Sequence, residues 1–548
     1  MKIHLFVIVA LLALMNSCKE VVTEPVVLVK NYVESVTING TKVISGGSVF
    51  GIPTDSVVIS ITFSAAIDRN KIDPSKLYIG SGVDTSFVVL PESTSKTITF
   101  KIRKPLTYYT TYRLFLLEGE NMGVKLIDSY EFSFITELDP TPKFPLISDD
   151  NLLTLTQKQT FKFFWDYAHP VSGLARERLN SGDIVTIGGS GFGVMTIPIA
   201  IERGFITRSE GFDRMSKIVN FLSNTADKFH GAFPHWINGT SGKVIPFGTK
   251  DNGADLVETA FMIQGLLTVQ SYFKNGNTAE KAMCANIQTL WENVEWTWFQ
   301  QGGQQKLFWH WSPTYNWDMN MPVTGWNEGL IVYVLAASSP TYAIAKSVYE
   351  NGFARNGAMK NAKTFYGVTL PLGEDLGGPM FFAHYSFLGL NPHNLSDQYA
   401  NYWTQNTAHA QINYRYCVAN PRKNFGYGQN CWGLTASDIP NSYTASSPNN
   451  DVGVIAPTAA LASFPYTPEE SMRALHFFYY TVGDKMWGEY GFKDAFSLNK
   501  RWFADSYLAI DQGPIVVMIE NYRTGLLWNL FMQNANVQSG LTKLGFSY

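Results

Sequence analysis

The chain has 548 residues, of which 45% are hydrophobic, 14% are aromatic and 16% are charged, and its formal net charge is -3. This length can bury one large core or two separate ones. The charge is nearly neutral and no run is rich in Lys or Arg, which argues against nucleic acid as a partner.

The first predicted element is an export signal. In "MKIHLFVIVALLALMNSCKE", a basic start leads into an apolar run and then small residues before Cys18. The stretch is similar to a bacterial lipoprotein cleavage site, so we predict a signal peptide over residues 1–18 and a lipid on Cys18. No later segment reaches the roughly 18–20 apolar residues of a spanning helix. We expect a monomer, exported to the periplasm or the outer membrane, that contacts a membrane only through this lipid.

Residues 27–137 carry short alternating runs, including "SVVISITFSAAI", "KTITFKI", "TYRLFLL" and "YEFSFITE", between clusters of Pro, Gly, Asp and Ser. Period-two runs with such punctuation predict an antiparallel β-sandwich. With "ITFSAAIDRNKI" and the closing "YEFSFIT", the segment resembles the bacterial Ig-like domains that precede catalytic domains. The Pro- and Asp-rich stretch "LDPTPKFPLISDD" then predicts a semi-rigid linker over residues 138–149.

Residues 150–548 change to a helical period. Segments that are apolar on every face, such as "DLVETAFMIQGLLTVQSYF", alternate with amphipathic ones such as "FDRMSKIVNFLSNTA". This alternation favours two concentric rings of helices in an all-α barrel, although the pattern alone does not separate a barrel from an α-solenoid. No sequence repeat of fixed period is visible.

The remaining cysteines are Cys284, Cys417 and Cys431, an odd number that permits one disulfide at most. Cys417 and Cys431 are the candidate pair because both lie in a polar, loop-rich region. No Cys/His spacing resembles a zinc site, and we expect neither a metal nor a cofactor.

The stretch "DNGADLVETAF" places Asp251, Asp255 and Glu258 at helical spacing where an apolar helix begins. Helix capping by Asp255, with Glu258 three residues later, explains two of these acids. Asp251 stays unexplained, and acids crowded in an apolar setting have raised pKa values, as a general acid or base requires.

Glu328 has a similar setting in "TGWNEGLIVYVLAAS". We predict that this stretch begins a second apolar helix and that Glu328 lies in its first turn. A first-turn glutamate also complements the helix dipole, but that explanation leaves Trp326 and Gly329 around it unexplained. Hydrolysis of a glycosidic bond needs a protonated carboxyl and a second carboxylate on either side of one sugar linkage. Two acidic clusters at helix starts, surrounded by Trp, could supply that pair.

Four longer motifs add a family resemblance: "GSGFGVMTIPIAIERGFITR", "DNGADLVETAF", "GWNEG" and "GEYGFKDAFS" followed by "WFADSYLAIDQGPIVVMIENYRTGLLW". They resemble the glycoamylase domain and, more narrowly, glycoside hydrolase family 144. The resemblance implies an (α/α)6 barrel and inverting hydrolysis of β-1,2-glucan, either endo or exo with release of sophorose.

By that similarity Glu328 is the expected general acid, and the group of Asp251, Asp255 and Glu258 is expected to activate water or bind substrate. Asp451 and Asp511 are reserve acids, for which helix capping is the simpler explanation. The candidates for stacking on glucose rings are Trp326, Trp311, Trp317 and Trp487.

Three other functions stay open at this point. An α-glucan hydrolase would use the same pair of acids. A non-catalytic glycan-binding lipoprotein would keep the tryptophans without needing Glu328. A polysaccharide lyase would need cations for a uronic acid substrate, which the acidic stretch disfavours.

Overall fold

A computed structural model describes residues 27–80, 86–91 and 93–548. Its contacts divide the chain between Asp139 and Pro140 into a β unit and a helical unit. The predicted signal peptide and Cys18 lie outside the described residues. Within the described residues, no helix combines the length and apolar character that crossing a bilayer requires.

The β unit forms because its strands alternate between buried apolar and exposed polar side chains, as in Val58–Phe63, where every second residue is buried. Its strands are β1 Lys30–Asn31, β2 Val33–Ile38, β3 Thr41–Val43, β4 Ser48–Ile52, β5 Val58–Phe63, β6 Leu77–Gly80, β7 Phe87–Val89, β8 Thr97–Ile102, β9 Thr111–Leu116, β10 Gly119–Asn121, β11 Val124–Leu126 and β12 Tyr130–Thr136.

These strands form sheets of order β3-β2-β5-β8-β7, β4-β12-β9-β6 and β1-β11-β10. The prediction of purely antiparallel pairing was wrong in two places, because β4 runs parallel to β12 and β1 runs parallel to β11. Apolar side chains of the strands close one core of their own, which includes Ile59, Phe100, Leu114 and Phe134.

The helical unit contains both long helices and short connecting ones. They are α1 Asp149–Trp165, α2 Ile187–Glu202, α3 Arg208–Asn224, α4 Leu256–Phe273, α5 Thr278–Glu292, α6 Leu330–Ser338, α7 Lys346–Val348, α8 Tyr402–Ala419, α9 Pro457–Leu461, α10 Pro468–His476, α11 Gly483–Met486, α12 Ala509–Thr524, α13 Leu526–Met532 and α14 Ala535–Leu544.

Short strands stiffen the loops between these helices. They are β13 Ile184–Thr186, β14 Trp236–Asn238, β15 Val244–Ile245, β16 Ala254–Asp255, β17 His310–Trp311, β18 Thr364–Phe365, β19 Val368–Thr369, β20 Ala436–Ile439, β21 Ser442–Ala445, β22 Trp487–Gly488, β23 Gly491–Phe492, β24 Phe496–Ser497 and β25 Trp502–Phe503.

The core of the helical unit lies among helices that are apolar on nearly every face. Helix α2 packs on both α4 and α12, and α4 also packs on α6, while the amphipathic helices α3 and α5 pack on each other with polar faces exposed. The predicted division into wholly buried and amphipathic helices is therefore present.

Two parts of the chain differ from the sequence-based expectations. Lys143 donates its backbone N–H to the carbonyl of Tyr480, and the ring of Phe144 stacks on Tyr479, so part of the predicted linker packs on the helical unit. The candidate disulfide between Cys417 and Cys431 does not form: within the described residues Cys284, Cys417 and Cys431 are buried, free thiols. Burial keeps the pKa of the Cys431 thiol well above its usual range, which disfavours the reactive thiolate.

Candidate active site

A cavity of about 360 Å³ opens where α4 and α6 begin. Acidic, basic and aromatic side chains share its wall with a few aliphatic ones: Glu177, Arg178, Thr186, His235, Trp236, Phe247, Glu258, Phe261, Trp309, Glu328, Phe381, Tyr385, Ala436, Tyr443, Leu508 and Ile510. Its size and its few convergent polar groups are those of a small-ligand site.

Glu328 lies on this wall, two residues before α6 rather than in its first turn as predicted. Its backbone carbonyl accepts a hydrogen bond from the Ser386 hydroxyl, which fixes the turn into the helix. Burial, with smaller contributions from the charges of Glu258 and Asp255, raises the pKa of Glu328 to about 7. Such a carboxyl is protonated up to neutral pH and can donate its proton.

Asp255 is the N-cap of α4 and is fully buried. One carboxylate oxygen accepts the backbone N–H groups of Val257 and Glu258 at 3.0 and 2.9 Å, and the other lies 3.0 Å from Nδ1 of His235. Burial opposes ionisation, but the hydrogen bond from His235 and the charge of His310 outweigh it and lower the pKa of Asp255. Asp255 is thus an ionised cap whose oxygens already have partners.

Glu258 does not complete a capping box with Asp255. Its Oε2 accepts the backbone N–H of Gly188 at 2.7 Å, at the start of α2. Burial and the charges of Asp255 and Asp251 raise its pKa, although His235 acts in the opposite direction. Glu258 is therefore the member of the predicted acidic group that lines the cavity, and α2 holds it there.

His235 places a positive charge beside Asp255 and Glu258. Burial disfavours its charged form, but Glu258 and Asp255 outweigh burial and raise its pKa to about 9. His310 faces the same acids, with Nδ1 3.6 Å from Asp251 and 3.8 Å from Asp255. Potential ligand atoms of His235, Asp251 and Asp255 lie within 4.8 Å of one another, so these residues could hold a cation. The two histidines already balance the aspartates.

A second cluster of acids contains Asp511 and Asp494, of which only Asp511 was predicted from the sequence. Asp511, a reserve acid, lies in the first turn of α12 and is buried, but it is not the cap. Its carboxyl lies against that of Asp494. Burial and the charge of Asp494 raise its pKa well above the usual range, and burial with the charge of Asp438 raises that of Asp494 to about 7.

Tyr385 lies on the cavity wall with Glu328 and Glu258. Burial raises the pKa of its hydroxyl, and the charges of Asp511, Glu328 and Glu258 raise it further. Tyr385 was not among the residues predicted for the site, because nothing in its local sequence distinguishes it from a core residue.

The predicted stacking tryptophans do not line this cavity. Trp326 is 6% exposed and packs between Phe387 and Tyr402, so its prediction as a sugar platform was wrong. Trp311 and Trp317 each contact the ring of Trp298, and Trp487 packs on Tyr479 and Phe492. The cavity wall instead contains Trp236 and Trp309, which the alternation around β14 and β17 could have suggested.

Asp451, the other reserve acid, is not part of the cavity wall and caps no helix. Its carboxylate accepts hydrogen bonds from the hydroxyls of Tyr416 and Tyr427 and from the amide of Asn424. These bonds join the end of α8 to the following loop, which is a structural function.

Comparisons with known proteins cover both units. A family model for a bacterial Ig-like domain matches residues 34–136. The Glycoamylase family model, described as "Putative glucoamylase", matches residues 320–535.

Three relatives are similar over most of the chain. An endo-β-1,2-glucanase from Chitinophaga pinensis is 54% identical, with a TM-score of 0.72, and the match covers 74% of this chain and 99% of that one. A β-1,2-glucanase from Parabacteroides distasonis is 40% identical, with a TM-score of 0.71, over 95% of this chain and 74% of that one.

A curated relative, also from Parabacteroides distasonis, is named an exo β-1,2-glucooligosaccharide sophorohydrolase (non-reducing end). It is 48% identical over 420 residues, which cover 73% of this chain, and the match spans 58% of that relative's length. Identity at this level, over 99% of one solved relative and 74% of the other, shows common descent. The chain belongs to glycoside hydrolase family 144 and carries a bacterial Ig-like domain on the N-terminal side of its helical unit.

Proposed function

We propose that this protein hydrolyses the glycosidic bonds of β-1,2-glucan by an inverting acid/base mechanism. The observation that carries the proposal is Glu328, a carboxyl with a pKa of about 7 on the wall of a cavity that also contains Glu258. The names of the relatives from Chitinophaga pinensis and Parabacteroides distasonis support β-1,2-glucan as the substrate class.

In this mechanism Glu328 donates its proton to the glycosidic oxygen, and the bond from that oxygen to the anomeric carbon breaks. A carboxylate on the opposite side removes a proton from a water molecule, whose oxygen attacks the anomeric carbon. Products are two shorter glucans, one with an inverted anomeric centre. Action at a chain end would release sophorose, and action inside the chain would release a range of lengths.

The water-activating carboxylate is either Glu258 or Asp511 in this proposal. Asp255 is less suited because both of its oxygens have partners, and Asp251 faces His310 rather than the cavity wall. Glu258 lines the cavity, and Asp511 lies against Asp494 in the acidic group near Tyr385.

The test of the proposed function uses β-1,2-glucan and soluble starch as parallel substrates. We expect products from β-1,2-glucan only, and the rate should fall as pH rises above about 7 because Glu328 must be protonated. The Glu328→Gln variant should lose about 10²–10⁴-fold in kcat. Hydrolysis of starch alone, binding of glucan without cleavage, or full activity of Glu328→Gln would each contradict the proposal.

Azide distinguishes the two candidate bases. An anion of this size can replace the activated water when a base is removed, so azide should restore turnover to the base variant and form a glucosyl azide of inverted configuration. We expect rescue of one of Glu258→Ala and Asp511→Ala, and no rescue of Glu328→Ala with an unactivated substrate. Rescue of neither would place the base elsewhere.

We further propose that the helical unit is an (α/α)6 barrel and that the protein is exported with a lipid on Cys18. The serial packing of the buried helices, α6 on α4, α4 on α2 and α2 on α12, supports an inner ring of helices. A crystal structure without six helix pairs would refute the barrel. The signal-like sequence before Cys18 supports the anchor, and mass spectrometry of the exported protein should find a diacylglycerol-modified N-terminal cysteine.

A further inference from the structure

A β-hairpin borders the cavity, and the proposed acid/base mechanism assigns it no role. Strands β20 and β21 pair in register with Ala436 opposite Ala445 and Asp438 opposite Tyr443. Directly opposed residues of an antiparallel pair point to the same face, so Ala436, Asp438 and Tyr443 share one face. Ala436 and Tyr443 line the cavity, which shows that this face is turned toward it.

Asp438 fixes the hairpin to the rest of the helical unit. Its Oδ1 lies 2.9 Å from Nη1 of Arg178, and its Oδ2 accepts the hydroxyl of Ser506 at 2.5 Å. Its backbone N–H donates to Oδ2 of Asp494 at 2.7 Å. These three bonds hold the hairpin against Arg178, itself a cavity residue, and against the loop before α12.

Tyr443 is left with an open ring at this anchored position. It is 45% exposed, although it stands beside a cavity, while burial of its hydroxyl near Asp511 and Asp494 raises the pKa of that hydroxyl well above its usual range. Among the other aromatic residues of the cavity wall, Phe261 and Tyr385 are buried, and Phe247, although exposed, stacks on His235. A large amphipathic ring with a free face can take a sugar ring on that face.

We propose that Tyr443 is a specificity-determining residue that binds a glucose ring of the substrate, and that Asp438 is the positioning residue that holds its hairpin in place. The assignment rests on the proposed function. It gives Tyr443 the stacking role that was predicted for Trp326, Trp311, Trp317 and Trp487. Anchoring matters because a platform on a free hairpin would lose conformational entropy on binding.

The test is the steady-state kinetics of the full chain on β-1,2-linked glucooligosaccharides. Tyr443→Ala is expected to raise KM about tenfold and to change kcat less than about threefold, because stacking binds the ground state and the transition state alike. Tyr443→Phe keeps the ring and should keep KM within about twofold. Ser506→Ala removes one of the bonds that anchor Asp438 without changing a charge, and it should raise KM several-fold with kcat retained, a split that simple loss of folded protein would not produce.

Tyr522→Ala is the matched control, because Tyr522 is 43% exposed on α12 and does not line the cavity. Its KM and kcat should equal those of the unmodified protein. Unchanged KM in Tyr443→Ala, or loss of affinity in Tyr443→Phe equal to that in Tyr443→Ala, would overturn this assignment alone. Absence of hydrolysis by the unmodified protein would overturn the proposed function as well.

Discussion

Three carboxyls within one cavity region differ in charge because their hydrogen-bond partners differ. Asp255 receives two backbone N–H groups and His235, which lower its pKa, whereas burial of Glu328 outweighs its one backbone hydrogen bond and raises its pKa to about 7. Glu258 lies between these cases, with one backbone N–H from Gly188 and a raised pKa. A division into acid and base therefore follows from local donors rather than from residue type.

At the scale of one residue, Glu328→Gln should stabilise the protein at alkaline pH. The folded-state pKa of Glu328 is about 7 against an ordinary value of 4.5. Between these pH values the unfolded carboxyl loses its proton while the folded one keeps it, so stability falls as pH rises through this window. Removing the ionisable group should add about 3 kcal/mol above pH ~7 and nothing below pH ~4.

Denaturant unfolding of the unmodified protein and of Glu328→Gln, at several pH values, measures this difference. Other groups that titrate, including Asp494 and Asp511, are common to both proteins and cancel in the comparison. Equal unfolding free energies at every pH would show that the carboxyl is not desolvated.

At the scale of elements, the site depends on how closely α2 and α4 approach. A Cβ on Gly265 of α4 would stand 2.1 Å from the carbonyl oxygen of Gly191, and one on Gly191 would stand 2.4 Å from that of Phe261. The two helices thus touch through their backbones, and this contact brings Gly188 of α2 to Glu258 of α4.

Gly265→Ala should therefore destabilise the protein, despite the better helix propensity of alanine. Overpacking of this kind costs about 1–3 kcal/mol, and the displaced helix should also lower kcat. Thermal unfolding and kinetics measure both effects. Gly428→Ala is the control, because the nearest atom to a Cβ there is 4.0 Å away. A neutral Gly265→Ala would mean that the two helices separate at little cost.

At the scale of the whole molecule, each unit has its own hydrophobic core. The solved endo-glucanase from Chitinophaga pinensis matches 74% of this chain over 99% of its own length, a share that fits the helical unit alone. The cavity and every acid discussed above also lie within residues 140–548.

Expression of residues 140–548 alone should therefore give a folded hydrolase. We expect kcat/KM on β-1,2-glucooligosaccharides within about threefold of the full chain and a single cooperative unfolding transition. Residues 27–139 should fold without hydrolytic activity. An unfolded or inactive helical fragment would show that the β unit is needed for catalysis.

The sequence by itself determined the division into two units, the approximate starts of the apolar helices, and a set of candidate active-site acids that includes Glu258 and Glu328. Hydrophobic period, capping residues and motifs are local properties, so they can be read within a few turns of chain. Only the tertiary structure decided that Glu258 bonds to α2 rather than back to Asp255, that Trp326 is buried, and that Tyr385, Tyr443 and Asp494 stand beside the acids. Those relations join loops that are far apart in the chain, and their meeting depends on the close packing of α2, α4 and α12, which no local pattern encodes.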